Sequence, residues 1–212
     1  SSPIAATAIS RMPPRTRWPV PPRRRPAGPR PPPPPKTAPQ LHGQVMSAVR
    51  PLINGAPESG QLLKGALSGE LGKLRTEVNG EGAKSLVENE IKDALKQAYD
   101  GERWQEVLNV CEAVEVMDPG NTRVLRYRER ATAEKNKPQV TVKGVFEIEQ
   151  VPTVFMDLYL PETGQRTDVK VREGEEFHGL ILEKILPNNK GVQLKYLKTE
   201  QSYTVPGLGT GQ

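Results

Sequence analysis

The spacing of apolar residues changes once along this chain, near Pro138. Ahead of that residue, from about Gly43, apolar positions recur every three or four residues, which is typical of helices that bury one face. Beyond it they alternate with polar residues, which is typical of strands in a half-buried sheet. The pattern predicts an α+β chain in which a helical segment precedes a small antiparallel β-sandwich or half-barrel.

The first part of the helical segment, residues 43–87, combines a helical pattern with residues that weaken helices. An apolar stripe at helical spacing is interrupted by glycines. The stripe is Leu63, Leu67, Leu71, Leu74 and Val78, and the glycines are Gly60, Gly65, Gly69 and Gly72. Each glycine inside a helix costs about 1 kcal/mol relative to alanine. We therefore expect weak helices here, with Asn79-Gly80 and Gly82 closing the second of them.

The second part of the helical segment, residues 88–137, has a cleaner pattern. Apolar residues fall on one face up to Asp100-Gly101, which ends a first helix. A second apolar run from Trp104 to Met117 predicts the next helix, and Asp118-Pro119-Gly120-Asn121 ends it. These residues predict a helical hairpin followed by a capping helix.

The β segment, residues 138–206, contains five or six short alternating runs. Turn-forming sequences separate them at residues 162–165, 172–175 and 187–191. Short strands with such turns predict a compact antiparallel all-β domain. The remaining residues, 207–212, are rich in glycine and are expected to form a frayed tail.

The first 42 residues form a Pro/Arg-rich segment of low complexity. Residues 1–40 carry eight basic side chains and no acidic one, whereas the other 172 residues carry 22 basic and 25 acidic side chains. The positive net charge of the chain therefore comes from this leader. Proline runs such as Pro31–Pro35 favour an extended polyproline II conformation and offer no apolar surface to bury. We expect residues 1–42 to be a disordered linker that acts as a spacer or tether.

Residues suited to catalysis or metal binding are few and far apart. The two histidines, His42 and His178, are distant in sequence, and the single cysteine, Cys111, has neither beside it. No spacing suits a zinc site or a nucleophile–base pair. Cys111 lies on the apolar face of its helix, where core packing is expected. The sequence therefore predicts a protein that is not an enzyme and has no cofactor and no metal site.

Residues 88–135 resemble a single tetratricopeptide-type helix pair. The resemblance rests on the run from Gly101 to Leu108, with Trp104 where that family places an aromatic residue, and on the closing Asp118-Pro119-Gly120-Asn121. The first half of the repeat matches poorly, and only one repeat is evident. Hairpins of that family bind proteins, so the resemblance implies a protein-binding role.

The β segment resembles the small periplasmic domain of type II secretion inner-membrane adaptors and of type IV pilus alignment lipoproteins. The resemblance rests on a layout: Lys143-Gly144-Val145-Phe146, a strand over Val154–Leu160, and Val169-Lys170-Val171-Arg172-Glu173-Gly174-Glu175. That family also tends to place a Pro-rich linker ahead of the domain. The helical segment between linker and β domain departs from the family pattern, and the family's membrane anchor is not in this sequence.

These observations lead to two hypotheses of function. The first is a non-enzymatic adaptor or structural subunit that tethers and docks other proteins in a bacterial envelope assembly of the secretion or pilus type. It would be periplasmic or associated with the cell envelope, through an anchor outside this sequence. The alternative is a soluble, cytoplasmic scaffold whose basic leader recruits a Pro-binding signalling module or nucleic acid. Nucleic acid is the less expected partner because Trp18 is the lone aromatic of the leader, and no small-molecule substrate is expected.

Two surfaces are candidates for contact with partner proteins, namely the apolar stripe of the helical hairpin and the edge strands of the β domain. The candidate residues are Trp104, Val107, Cys111, Val140, Val142, Phe146, Tyr203 and Val205. Edge strands are expected at Val140–Ile148 or Ser202–Val205, where a partner strand could add. For the stripe around Trp104, core packing is the competing interpretation.

Overall fold

The computed structural model describes Gly28, residues 31–55 and residues 60–208, the side chains of residues 60 and 61 excepted. Within these ranges five α-helices precede seven β-strands. The helices are α1 (Ala38–Asn54), α2 (Gly60–Thr76), α3 (Gly80–Asp100), α4 (Trp104–Met117) and α5 (Leu125–Lys135). The strands are β1 (Gln139–Ile148), β2 (Val151–Leu160), β3 (Gln165–Val171), β4 (Glu176–Phe177), β5 (Leu180–Leu186), β6 (Gly191–Tyr196) and β7 (Gln201–Val205). The predicted α+β class, with helices first and antiparallel strands second, is confirmed.

Helix α1 begins at Ala38, ahead of Gly43 and within the predicted linker of residues 1–42. The backbone N–H of Gln40 donates to the Thr37 hydroxyl over 3.4 Å, and the backbone N–H of Thr37 donates to the Gln40 side-chain oxygen over 3.0 Å. This reciprocal cap satisfies two donors that no helical carbonyl reaches. The start of α1 is therefore set by capping, which the apolar spacing did not reveal. Most of the predicted linker, residues 1–27, and the end of the predicted tail, residues 209–212, lie outside the described residues.

Helices α1 to α4 pack around one apolar core. Its largest fully buried side chains include Leu41 and Met46 of α1, Leu67 of α2 and Ile91 of α3. Helix α2 buries Leu67, Leu71 and Leu74. Each contributes about 1.5–3 kcal/mol, and together they offset the cost of the glycines in α2. Helix α2, predicted to be weak, is therefore continuous over its 17 residues.

The boundary between α2 and α3 differs from the prediction. Helix α2 ends at Thr76 and α3 begins at Gly80, so Gly82 lies inside α3 and does not close α2. A Cβ atom at Gly80 would lie 2.1 Å from the backbone oxygen of Leu74, so only glycine allows the two helices to meet this closely. Val78 falls between the helices and is exposed, whereas the other members of the predicted stripe pack in the core or against it.

The β domain consists of two antiparallel sheets that share one core. The sheets have the strand orders β1-β2-β3 and β4-β5-β6-β7. Alternate residues of β2, such as Val154, Met156 and Leu158, are buried against Leu182 and Leu194 of the other sheet. This arrangement is the predicted small sandwich, to which the two-residue strand β4 is an addition that the sequence pattern did not indicate.

Strands β1 and β2 form a hairpin with a tight turn. Ile148 pairs with Val151, so the turn consists of Glu149 and Gln150 alone. Both have positive φ angles, 54° and 63°, which is the backbone of a turn that matches the twist of the strands. A bulge between Val142 and Gly144 interrupts the register of β1 with β2, and it divides β1 into two halves.

The end of α5 lies against the β domain. The Tyr196 hydroxyl of β6 donates to the backbone oxygen of Ala133 over 3.0 Å, and Arg130 donates to the backbone oxygen of Thr199 over 3.4 Å. The ammonium of Lys137 sits 3.7 Å from the ring centroid of Tyr203 in β7, a favourable cation–π geometry. These contacts join the helical segment to the sheet β4–β7. No helix in the described ranges is long and apolar enough to cross a membrane.

Candidate functional site

The sheet β1-β2-β3 has one face in the core and one face outside it. Because successive side chains of a strand point to opposite faces, the burial of Val154 and Met156 places Phe155 on the outer face. The register then puts Gly144 and Lys170 on that face beside Phe155. Phe155, an aromatic residue, therefore lies on the face that a half-buried sheet normally leaves to polar side chains.

Four apolar side chains gather on this outer face at the turn end of the β1–β2 hairpin. They are Phe146, Ile148, Val151 and Phe155, and we call them the hairpin face. Phe146 is 56% exposed and Val151 is 38% exposed, and unlike the single exposed apolar residues of the helices they lie on one face of one hairpin. Contiguous apolar surface of this kind on a folded chain marks sites of protein contact.

Phe146 is held against the hairpin face by two contacts. Its ring meets that of Phe155 edge to face, with centroids 5.1 Å apart and planes at 85°. A Cβ atom at Gly144 would lie 2.8 Å from the Phe146 ring, so glycine there lets the ring lie flat over the strand. The exposed ring is thus supported by the ring of Phe155 and lies closely over Gly144.

Charged side chains border the hairpin face and largely compensate one another. The ammonium of Lys143 lies 2.6 Å from a carboxylate oxygen of Asp168, and this hydrogen bond raises the pKa of Lys143. Arg172 lies 3.6 Å from Glu149, and Lys170 sits 5.1 Å from the Phe155 ring centroid. A flat apolar centre with a mixed charged rim is the anatomy of a protein–protein interface.

The structure separates the eight predicted contact residues into three groups. Four are buried in the two cores and do not reach the surface: Val107, Cys111, Val142 and Val205. Three are half-buried: Trp104, Val140 and Tyr203. Only Phe146 is well exposed. The side chains of these four residues are covered, because period-2 and period-3.6 patterns identify a face without telling whether another element packs on it. Their role in partner binding stays a prediction.

The predicted edges for strand addition, Val140–Ile148 and Ser202–Val205, correspond to edge strands β1 and β7. These two strands also approach each other across the sandwich. A partner strand added along the full length of either would have to compete with this approach. The approach of β1 to β7 does not affect a partner bound to the hairpin face, because such a partner would cover side chains on the outer surface of the sheet and would not pair with its edge.

Sequence reasoning missed Val151 and Phe155 as candidates, and it included Ile148 only as the end of an expected edge strand. The signal for Phe155 was present, since it stands between Val154 and Met156 and must face away from them. Ile148 and Val151 flank the turn at Glu149-Gln150, which lacks the glycine or asparagine that usually announces a tight hairpin. Because the turn could not be recognised in the sequence, the pairing of Ile148 with Val151 could not be predicted.

The reactive side chains of the described part of the chain are separated from one another. Burial raises the pKa of the Cys111 thiol to about 11, and the thiol points to the backbone oxygen of Val124 at 3.8 Å. Such a thiol is inert at neutral pH. His42 lies 2.8 Å from Glu90 on the helical segment, whereas His178 lies in the turn after β4. Among the described residues no three His, Cys, Asp or Glu side chains come together as metal ligands would.

Comparisons with known proteins add no family to this description. No protein-family model, no curated protein and no solved structure matches the chain. Function therefore has to be inferred from the arrangement of the side chains.

Proposed function

We propose that this chain is a non-enzymatic adaptor that binds another protein through the hairpin face. The observation that carries the proposal is the exposure of Phe146, more than half of whose surface faces solvent while its ring is fixed against Phe155. Aromatic anchors that are rigid before binding contribute a large share of interface free energy. The mixed charges of Lys143, Asp168 and Lys170 around it supply a polar rim.

The remainder of the chain suits an adaptor in which the hairpin face is one contact among several. The contacts of α5 with β6 and β7 couple the β domain to the helical segment, so a partner bound to one would be positioned relative to the other. The basic leader, in this proposal, spans the distance from the folded segments to an anchor. The helical hairpin α3–α4, whose Val107 and Cys111 are buried in the core, would supply a second contact only through its exposed positions.

We further propose that the assembly is of the bacterial secretion or pilus type and that the chain works in the periplasm. Support comes from the sequence layout shared with the inner-membrane adaptors and alignment lipoproteins. In that layout Val169-Lys170-Val171 ends β3, and Arg172-Glu173-Gly174-Glu175 forms the turn that follows. Gly174 has a φ of 85°, a conformation that glycine adopts without strain, which explains why the layout needs glycine at this position.

The proposal is tested by affinity purification of the tagged full chain from its native cells, in three versions. Phe146→Asp places a charge at the centre of the hairpin face, and Lys184→Asp places one on an exposed position of β5 in the other sheet. We expect a partner that is recovered with the wild type and with Lys184→Asp, and that is lost with Phe146→Asp. Recovery of the same proteins with all three versions would overturn the role of the hairpin face.

A fourth version lacks residues 1–34, which keeps Thr37 and the whole of α1. It separates the adaptor from the alternative of a soluble scaffold that recruits partners through its leader. For the adaptor, the deletion leaves the partner bound to the β domain and releases the complex from the membrane fraction. For the scaffold, the deletion abolishes partner recovery, and the interaction weakens steeply with salt.

A further inference from the structure

An open cleft lies on the helical segment, away from the hairpin face, where the chain passes from α4 into α5. Its volume is about 540 Å³, and it is lined by Tyr99, Thr122, Arg123, Arg126 and Tyr127. Tyr99 comes from the end of α3, while the other four residues come from a 3-10 turn and the first turn of α5. The backbone N–H of Arg123 donates a hydrogen bond to the side-chain oxygen of Asn121 over 3.0 Å. This bond fixes the start of the 3-10 turn.

The two arginines of this cleft differ from most other arginines in the described part of the chain. Six arginines there form an ion pair with a carboxylate: Arg50, Arg103, Arg128, Arg130, Arg166 and Arg172. Within the described ranges neither Arg123 nor Arg126 has such a partner. No acidic side chain lines the cleft, and both arginines are exposed. Their spacing of three residues at the start of a helix brings them to one side, so their positive charges reinforce each other at the cleft.

The remaining wall of the cleft is aromatic. The rings of Tyr99 and Tyr127 meet edge to face, with centroids 5.2 Å apart, and Tyr99 packs in the same way on Trp104 at 5.6 Å. Tyr127 is 37% exposed. The cleft therefore offers two guanidinium groups, the hydroxyl of Thr122 and a rigid aromatic surface within one open volume.

We propose that this cleft binds a phosphate monoester carried by a side chain of a partner protein. A guanidinium donates two parallel hydrogen bonds to phosphate oxygens, and two arginines match the charge of about −2 that a phosphate monoester carries near neutral pH. The volume exceeds that of a bare phosphate, so the tyrosine rings pack against the residue that bears it. This second site does not depend on the hairpin face.

The charge around the cleft favours a compact phosphorylated side chain over an extended polyanion. A neighbouring cleft, which shares Arg123 and Tyr127 with this one, is also lined by the acidic side chains of Glu88 and Asp118. A nucleic acid or an anionic membrane would have to lie along these acidic side chains, where like charges repel it. A single phosphorylated side chain reaches Arg123 and Arg126 without that contact.

The test is calorimetric titration of the full chain with defined probes. The probes are a short Gly-Ala peptide with a central phosphotyrosine or phosphoserine, the same peptide unphosphorylated, inorganic phosphate, and vesicles that contain phosphatidic acid. Arg123→Gln and Arg126→Gln remove the charges of the cleft. Arg166→Gln removes an equal charge from the exposed surface of β3 and serves as the matched control.

We expect the phosphorylated peptides to bind and the unphosphorylated peptide not to bind. Each cleft variant should weaken the affinity for the phosphopeptide about tenfold, which corresponds to about 1.4 kcal/mol, because one guanidinium is lost from the site. Arg166→Gln should leave the affinity unchanged. Phosphopeptide binding that persists in both cleft variants would belong to the basic leader and would overturn the proposal. Binding of inorganic phosphate only, or of vesicles only, would also overturn it. Phe146→Asp should leave phosphopeptide binding intact. A negative result for the cleft is therefore independent of whether the hairpin face binds a partner.

Discussion

The ring of Phe146 rests edge to face on the ring of Phe155, with 5.1 Å between the centroids, on the solvent side of the sheet β1-β2-β3. Because Phe146 is largely exposed, Phe146→Ala should lower the free energy of unfolding by only about 1 kcal/mol, the contribution of an aromatic pair. Leu158→Ala, at a fully buried position of the same hairpin, should lower it by about 2–5 kcal/mol. Urea unfolding of both variants measures the difference, and equal losses would mean that Phe146 belongs to the core.

Asn109 of α4 ties the end of α1 to the helical core. Its side-chain amide donates to the backbone oxygen of Ile53 over 2.8 Å, and its oxygen accepts from Gln105 over 2.9 Å. Since the carbonyls at a helix end lack partners within the helix, Asn109→Ala leaves a carbonyl of α1 unsatisfied. We expect a loss of about 1–3 kcal/mol in the free energy of unfolding. Asn89→Ala, at an exposed position of α3, is the control and should cost far less.

Substituting alanine for two glycines of the helical segment should change the free energy of unfolding in opposite directions. A Cβ atom at Gly69 in α2 meets nothing within 4 Å, so Gly69→Ala should raise the free energy of unfolding by about 0.5–1 kcal/mol. A Cβ atom at Gly80 would collide with the backbone of Leu74, so Gly80→Ala should destabilise the chain. Thermal unfolding of the two variants distinguishes them, and a destabilising Gly69→Ala would show that α2 approaches another element there.

The free energy of unfolding should fall at alkaline pH because of Tyr203. Burial raises the pKa of Tyr203 to about 12 from its ordinary value near 10. Above pH 10 the unfolded chain loses this proton while the folded chain keeps it, so the unfolded state binds fewer protons and stability falls as pH rises towards 12. Tyr203→Phe should reduce this fall, as urea unfolding between pH 9 and pH 12 would measure. If the free energy of unfolding of Tyr203→Phe fell with pH as steeply as that of the wild type, Tyr203 would not be the group responsible.

The same variant bears on stability at neutral pH. The hydroxyl of Tyr203 is buried and finds no hydrogen-bond partner in the described part of the chain. Removing an unsatisfied buried hydroxyl relieves its desolvation, so Tyr203→Phe should be neutral or stabilising by about 1 kcal/mol at pH 7. The cation–π contact with Lys137 is retained by phenylalanine, which isolates the effect of the hydroxyl.

The order of elements could be predicted from the sequence because local periodicity encodes it. The alternation at Val154, Met156 and Leu158 gave the strand and its buried face correctly, and the break at Asp118-Pro119-Gly120-Asn121 separated α4 from α5. The start of α1 was missed because it depends on the capping pair Thr37 and Gln40 and not on an apolar pattern. Capping signals therefore add to periodicity where a helix begins in a polar segment.

The candidate sites could be predicted only in part, because they depend on packing between distant segments. Phe146 was identified as an edge-strand residue, but its neighbour Phe155 is brought beside it by the register of β1 with β2. Val142 and Val205 looked equivalent to Phe146 in the sequence, yet both are buried in the core that the two sheets share. Arg123 and Arg126 carried no signal in the sequence, since their lack of carboxylate partners emerges only once the chain is folded.

The most direct measurement of the proposed role is site-specific photo-crosslinking in native cells. A photoreactive amino acid is placed at Phe146, at Val151 or, as the control, at Lys184 in the other sheet. We predict that the same partner protein is crosslinked from positions 146 and 151 and not from 184, and that a second substitution at Ile148 to Asp abolishes both crosslinks. Crosslinking that is absent at 146 and 151, or equally strong at all three positions, would contradict the assignment of the hairpin face as a protein-binding surface.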